Sequence, residues 1–153
     1  MTREILCFGN PLLRERSEEV KVFDKELCVL LDDMYETMCE ADGIGLAAPQ
    51  IGVLRRVVVI DTGGKAGKIE LINPIITAMW GKQEEAEGCL SLPKKRGIVR
   101  RPMHVRAKAY DRFGKLHRYH VKELLARAFC HETDHLNGIL YEDKVIEWVE
   151  DEE

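Results

Sequence analysis

KELLARAFCHETDHLNG, residues 122–138, is the stretch that decides the fold, because its apolar residues recur every three to four positions. That spacing predicts an amphipathic helix over residues 122–137, with Gly138 as the residue that ends it. His131 and His135 stand four positions apart, so on a helix their imidazoles lie one turn apart on the same face. Two imidazoles in that arrangement can bind a single metal ion.

The position of each side chain around the helix separates candidate ligands from packing residues. At about 100° per residue, both histidines continue an apolar stripe that starts at Leu124 and includes Ala128. Inward histidines are costly to bury unless something partners them, and a metal ion would do so. Glu132 falls at the flank of the stripe, where it can handle a proton on a metal-bound water. Cys130 points to the other side and is interpreted as packing.

A third ligand is needed, because catalytic zinc or iron usually keeps three protein ligands and one open position. Cys89, in EGCLS at residues 87–91, is predicted to lie in a turn-rich segment between strands, where its thiolate could face the histidines. The result would be an open Cys-His-His site. On sequence alone, Glu142, Asp143 and Glu147 are alternative third ligands.

The rest of the chain predicts one further helix and several strands. Residues 24–41 have helical apolar spacing, with Asp24 as a candidate N-cap and Gly43 as a candidate terminator. Strands are predicted at 56–61, 68–78, 105–110 and 115–121, and a short helix at 147–153. This order predicts an α+β fold with antiparallel β-sheets around a central HExxH helix and an N-terminal helix. At 153 residues, the chain is expected to form one domain over residues 1–153.

Composition excludes several classes of protein. A net charge of −4 and a pI near 5.8 argue against a dedicated nucleic-acid binder, although a local basic patch is compatible with them. The longest uncharged stretch, residues 43–54, is too short to span a bilayer, and Arg3 and Glu4 argue against a secretory signal. Five cysteines without a CxxC pair favour reduced thiols, and we expect a cytoplasmic protein with no membrane partner.

The segment GIGLAAPQ, residues 43–50, superficially matches a dinucleotide-binding motif. That motif must follow a strand and open a helix, whereas here a helix comes first and Pro49 interrupts the segment after it. We therefore expect no dinucleotide. The small residues still allow a ligand to approach the backbone closely, and Gln50 offers an amide donor for a developing oxyanion.

GIGLAAPQ, EGCLS and HETDH together resemble the three signature motifs of peptide deformylases, in the order found in that family. The stretches FGNPLLRE, VVVID, INP and LLARAFCHETDHLNGILYEDK also resemble the family, so the likeness covers nearly the whole chain. It implies a hydrolase that removes the formyl group from N-formylmethionyl nascent peptides and releases formate. It also implies one Fe²⁺ ion in the cell, replaceable by Zn²⁺, Ni²⁺ or Co²⁺. Contact with the ribosome near the exit tunnel is a further expectation.

The resemblance also implies roles for individual residues. The metal ligands would be Cys89, His131 and His135, the catalytic acid/base would be Glu132, and the oxyanion would be held by Gln50 and the backbone N–H of Leu90. The substrate-binding positions would be Ile44 and Gly45, along which the peptide lies as an added strand, Glu87 and Ala128 near the methionine pocket, and Arg96 near the peptide backbone.

Three residues depart from the family pattern. Cys130 stands where glutamine usually precedes HExxH, and Glu123 and Lys94 stand where glycine is common. The basic run at residues 94–96 is interpreted as solvated surface, with a substrate rim or an RNA contact as the alternative. Two other functions are weighed: an endopeptidase of the broader HExxH type, and a non-catalytic metal-binding or ribosome-associated protein.

Overall fold

The computed structural model describes residues 1–149. The helices in this part of the chain are α1 (Lys25–Glu40) and α2 (Glu123–Leu136). The strands are β1 (Gly45–Ala47), β2 (Val57–Ile60), β3 (Ile69–Trp80), β4 (Gln83–Cys89), β5 (Leu92–Arg101), β6 (His104–Tyr110), β7 (Leu116–Lys122) and β8 (Val145–Val149). Short 3-10 turns occupy Pro11–Arg14, Ala48–Ile51 and Tyr141–Asp143. Neither described helix has the length and apolar character needed to cross a bilayer.

The strands form two antiparallel sheets. The first has the order β1-β2-β3-β6-β7, and the second has the order β4-β5-β8. With α2 packed on the larger sheet and α1 near the N-terminus, the fold confirms the predicted α+β class with antiparallel sheets around the HExxH helix. β1 and β4 are each the first strand of their sheet, so each leaves one edge without a neighbouring strand.

At β2, helices cover both faces of the larger sheet. Because successive residues of a strand point to opposite faces, Val58 packs with α2 while Val57 and Val59 pack with α1. Phe129 of α2 is buried in the core on one side of the sheet, and Met34 of α1 is buried in the core on the other side. Burying one such side chain stabilises the fold by roughly 1.5–3 kcal/mol.

The ends of α1 follow the prediction at one end only. Asp24 is the N-cap, and its Oδ1 accepts a hydrogen bond from the N–H of Leu27 at 3.0 Å. The prediction that Gly43 terminates the helix is wrong, because Asp42 is the residue in the left-handed region, with φ 57°. Gly43 instead leaves room for Leu90, whose Cδ1 lies 2.6 Å from the place that a Cβ would take.

Positive φ values occur at both ends of α2 and at one position on β5. Gly138 ends the helix as predicted, with φ 73°, and a side chain there would collide with the carbonyl oxygen of Arg14. Glu123, at the start of α2, has φ 56°, and Lys94 on β5 has φ 67°. Glycine adopts a positive φ without strain, so the backbone at both positions suits glycine, which the family resemblance implies there.

The second sheet differs most from the prediction. The sequence predicts a turn-rich segment around Cys89, whereas β4 and β5 form a hairpin there. The prediction of a short helix at 147–153 is wrong, because residues Val145–Val149 form β8, paired with β5. Residues 150–153 of that predicted helix lie outside the described residues. The strand pattern was hidden because charged side chains on β4 and β5 pair across the hairpin, as Glu84 does with Arg100 at 2.7 Å.

Candidate metal centre

Three side chains from two elements meet at one point. His131 and His135 come from α2, and Cys89 is the last residue of β4, before the two-residue turn that leads to β5. Their ligand atoms lie within 4.8 Å of one another, and Cys89 Sγ is 3.4 Å from His135 Nε2. Within residues 1–149 no other set of three such side chains meets in this way.

The alternative third ligands have other places in the fold. Glu142 and Asp143 both form ion pairs with Arg14. Glu147 lies on the exposed β8 strand, opposite Ile98. The described structure therefore brings Cys89, and none of these carboxylates, to the histidines.

The geometry of the three side chains fits a small divalent ion. Tetrahedral bonds of about 2.0–2.3 Å place neighbouring ligand atoms roughly 3.3–3.8 Å apart, and the Cys89–His135 separation falls in that range. The Nδ1 atom of His131 is hydrogen-bonded to Glu87 Oε1 at 2.9 Å, which leaves the second ring nitrogen, Nε2, for an ion. Such a hydrogen bond is typical of metal-bound histidine.

The two histidines have opposite protonation tendencies. Burial alone would lower the pKa of His131, but the neighbouring Glu132, Cys89 and Glu87 raise it well above its usual value. Burial lowers the pKa of His135, and the charge on His131 lowers it further. Positive charge is thus favoured at His131 among these acidic groups, and a divalent cation would supply it.

Glu87 holds His131 through a buried network of charges. Its carboxylate bonds to Arg101 at 2.9 and 3.0 Å and to Arg127 at 3.0 Å, in addition to His131. Burial by itself raises the pKa of Glu87, but the hydrogen bonds from His131 and Arg101 lower it to about 2. Glu87 is therefore ionised at neutral pH and fixes the orientation of the imidazole.

Glu132 packs directly against the backbone of β1. Its Oε2 atom lies 2.5 Å from the place that a Cβ on Gly45 would occupy, so a side chain at position 45 would displace the carboxylate. The Oε1 atom is buried and has no hydrogen-bond partner within the described residues. Burial raises the pKa of Glu132 to about 7. A carboxyl with that pKa can both accept and donate a proton near neutral pH.

Gln50 lies beside the ligand group on the 3-10 turn after β1. Its Oε1 accepts a hydrogen bond from the N–H of Ala47 at 2.9 Å, which fixes the direction of the amide. Its Nε2 donates to Ser91 Oγ at 3.1 Å and, more weakly, to Cys89 Sγ at 3.5 Å. Leu90 lies between these two residues in the turn. The amide donor is thus held next to the sulfur of Cys89.

A cavity of about 800 Å³ opens above these residues. The predicted substrate-binding residues all line it: Ile44, Gly45, Glu87, Arg96 and Ala128. So do Gln50, Cys89, Leu90, His131 and Glu132. Its walls include residues of β1 and β4, each of which has an open edge. An extended peptide can enter such a cleft and pair with strand edges.

The apolar stripe of α2 borders this cavity and reaches the core through Ala128. Leu124, its first member, is half exposed, and Ala128 lines the cavity wall. The core face of the helix is formed by Ala126, Phe129 and Leu136, because the larger sheet packs on that side. Both histidines are nevertheless buried: His131 lines the cavity with 7% of its surface exposed, and His135 is 1% exposed.

Sequence reasoning missed the residues that support this site. Arg101 joins Glu87 to Asp134, and Arg127 contacts both Glu87 and the carbonyl oxygen of Glu85. The only available signal was an arginine on the buried side of a helix, and the position of Arg101 depends on the β4–β5 hairpin that was not predicted.

Comparison with known proteins gives the family of this chain. The family model described as polypeptide deformylase matches residues 2–150. The chain is 55% identical over 151 residues to a peptide deformylase of Caldicellulosiruptor bescii, covering 99% of this chain and 90% of the relative. It is 52% identical over 145 residues to peptide deformylase 1 of Clostridium acetobutylicum, covering 95% of each.

Solved structures give the same result. The crystal structure of a peptide deformylase from Legionella pneumophila has a TM-score of 0.91 and 44% identity, covering 95% of this chain and 86% of that one. The structure from Thermotoga maritima has a TM-score of 0.92 and 37% identity, covering 95% and 98%. This chain therefore belongs to the polypeptide deformylase family, the metal-dependent hydrolases that remove the formyl group from the N-terminal formylmethionine of nascent peptides.

Proposed function

We propose that this chain deformylates nascent peptides with Cys89, His131 and His135 as ligands of one divalent ion. The observation that carries this proposal is the meeting of three ligand atoms beside the buried Glu132 on the floor of an open cavity. One thiolate and two imidazoles suit Fe²⁺, Zn²⁺, Ni²⁺ and Co²⁺. We propose Fe²⁺ in the cell. A divalent ion held there would polarise the formyl carbonyl and lower the pKa of a bound water towards about 7.

Glu132 would move the proton. Its carboxylate accepts a proton from the attacking water as the C–O bond forms, and later delivers that proton to the peptide nitrogen as the C–N bond breaks. The products are formate and a peptide with a free amino terminus. The pKa of about 7 supports both steps, and the unpartnered Oε1 gives the proton a place to bind.

Gln50 and the backbone N–H of Leu90 would stabilise the oxyanion. The Gln50 amide has two N–H groups, which contact Ser91 Oγ and Cys89 Sγ in this structure. The contact to Cys89 is the weaker one at 3.5 Å, and it would be exchanged for the substrate oxygen. Donors that are already oriented act without reorganisation during the reaction.

The peptide would bind as an added strand. Ile44 is half exposed next to the open edge of β1, and the missing side chain of Gly45 keeps the backbone close to the reacting groups. Ala128 and Glu87 would border the methionine side chain on the cavity wall, and Arg96 would reach the peptide backbone from β5.

Three broader assignments go with this function. We propose that residues 1–153 act as one domain, that the protein works in the cytoplasm, and that it meets its substrate near the ribosomal exit tunnel. The five cysteines, none of which is in a disulfide, support a reducing compartment.

The experiment is formate release from a short formyl-Met peptide by protein loaded anaerobically with Fe²⁺. The unformylated peptide and an internally cleavable peptide serve as controls. We expect rapid release from the formylated peptide alone. Cleavage of internal bonds would instead support an endopeptidase, and no release despite stoichiometric metal would support a non-catalytic metal-binding protein.

A further inference from the structure

Half of one face of the larger sheet is left uncovered by both helices. α1 packs against residues of β1, β2 and the first half of β3, where Ile72 is buried beneath it. Farther along the same strand the side chains are exposed, including Ile75 and Trp80. The half of this face that β3, β6 and β7 form is therefore open to solvent.

Strand register concentrates positive charge on this open face. Arg106 is paired with His120, and Lys108 with Arg118. Directly paired residues project to the same side of a sheet, and so do residues two positions apart on one strand. We call the resulting surface the basic sheet face, and it consists of Trp80, Arg106, Lys108, Arg118, His120 and Lys122.

The cations of this face are not neutralised by carboxylates. Arg101 and Arg112 each form ion pairs with two acidic side chains. In residues 1–149, by contrast, no ion pair involves the arginines or lysines of the basic sheet face. The chain as a whole has a net charge of −4, so this surface does not reflect a basic composition.

Trp80 gives the face an aromatic platform at one end. Its ring is stacked on His104, with centroids 5.0 Å apart and an interplanar angle of 7°. The guanidinium of Arg106 lies 5.3 Å from its centroid, and 41% of the residue is exposed. A solvated aromatic ring beside unpaired cations is the combination on which single-stranded nucleic acids bind, with bases stacked and phosphates held by charge.

We propose that the basic sheet face binds RNA. Its four arginines and lysines would contact phosphates, and Trp80 would stack on a base. The same face also exposes Ile75, so a membrane surface is the competing occupant, and RNA is favoured because Arg106 lies beside the Trp80 ring, on which a base can stack. The choice of RNA over DNA rests on the proposed function, since a nascent polypeptide is still attached to an RNA-rich particle.

The test is fluorescence anisotropy with a labelled oligouridylate of about 20 nucleotides and the metal-loaded protein. With four phosphate contacts, affinity should fall about 50-fold between about 50 and about 200 mM salt. The Arg106→Gln/Arg118→Gln variant should bind more weakly, and its affinity should fall only about 7-fold over the same range. A control with equal charge loss, Arg14→Gln/Arg100→Gln, should behave as the wild type.

The aromatic contact has a separate readout. Trp80→Ala should weaken RNA binding at least about fivefold, and Trp80→Phe should restore part of the loss because a ring is still present. Deformylation is measured in parallel on the wild type and on each variant, and a wild type that binds RNA without deformylating peptides would contradict the proposed function only. Equal salt dependence in both double variants, or binding to anionic lipid vesicles in place of RNA, would overturn this proposal.

Discussion

The Oε2 atom of Glu132 lies 2.5 Å from where a Cβ on Gly45 would be, so the missing side chain on β1 makes room for the carboxylate beside the metal ligands. Gly45→Ala must push Glu132 away from that place. A displacement of about 1 Å typically costs about 100-fold in rate, and we expect a loss in kcat of that order with the metal still bound. Formate release and metal analysis measure both.

Gly64→Ala is the matched control, because Gly64 has no positive φ and a Cβ there would lie 3.5 Å from its nearest neighbour, the hydroxyl oxygen of Thr62. It should keep full activity. Wild-type turnover by Gly45→Ala would contradict the stated role of this contact.

Glu87→Gln tests the support behind His131. The substitution keeps the shape but removes the charge that Arg101 and Arg127 share. Loss of such a supporting partner typically lowers metal affinity about 10–100-fold, and breaking a buried ion pair costs about 3–5 kcal/mol of stability. Competition with a chelator and urea unfolding measure the two effects. Glu85→Gln, two residues earlier and exposed, should change neither.

Lys94→Gly should relieve backbone strain. Lys94 has φ 67°, a conformation that costs a residue with a side chain roughly 1–2 kcal/mol. Lys95→Gly, at the next position and without a positive φ, gives the same flexibility to the unfolded chain but relieves no strain. The free energy of unfolding of Lys94→Gly should therefore exceed that of Lys95→Gly by about 1–2 kcal/mol. Equal values would show that position 94 is unstrained in solution.

Asp111 should contribute stability that depends on pH. Burial alone would raise its pKa, but hydrogen bonds from His117, Lys115 and Phe113 lower it below the usual value. Since the folded pKa is below the unfolded one, the contribution is present above about pH 4 and is lost as the pH falls through the folded pKa. In urea unfolding at about pH 6, the free energy of unfolding of the wild type should exceed that of Asp111→Asn. The difference between the two free energies should shrink below about pH 4. A constant difference would contradict the assignment.

The sequence was sufficient for those parts of the fold that repeat locally. Helical spacing predicted α1 and α2, and the i, i+4 pair placed His131 and His135 on one side of α2. The parts that it could not predict depend on pairing between distant segments. β8 looked like an acidic helix end, and it forms a strand because Gly97 leaves room for Val145 and Trp148 across the pair.

The support of the site was hidden for the same reason. Glu87 and Arg101 are 14 positions apart and meet only because β4 and β5 form a hairpin. In the sequence, Glu123 and Lys94 were visible only as departures from the glycine of the family pattern. The positive φ at each residue is a property of the backbone that only the structure displays.

The role of Glu132 is tested most directly by the Glu132→Gln variant, measured for bound metal and for formate release on the same sample. Glu132 is assigned to proton transfer and not to the ligand group of Cys89, His131 and His135. We expect one bound ion per chain, as in the wild type, with deformylation nearly abolished. Loss of the metal, or turnover close to that of the wild type, would contradict it.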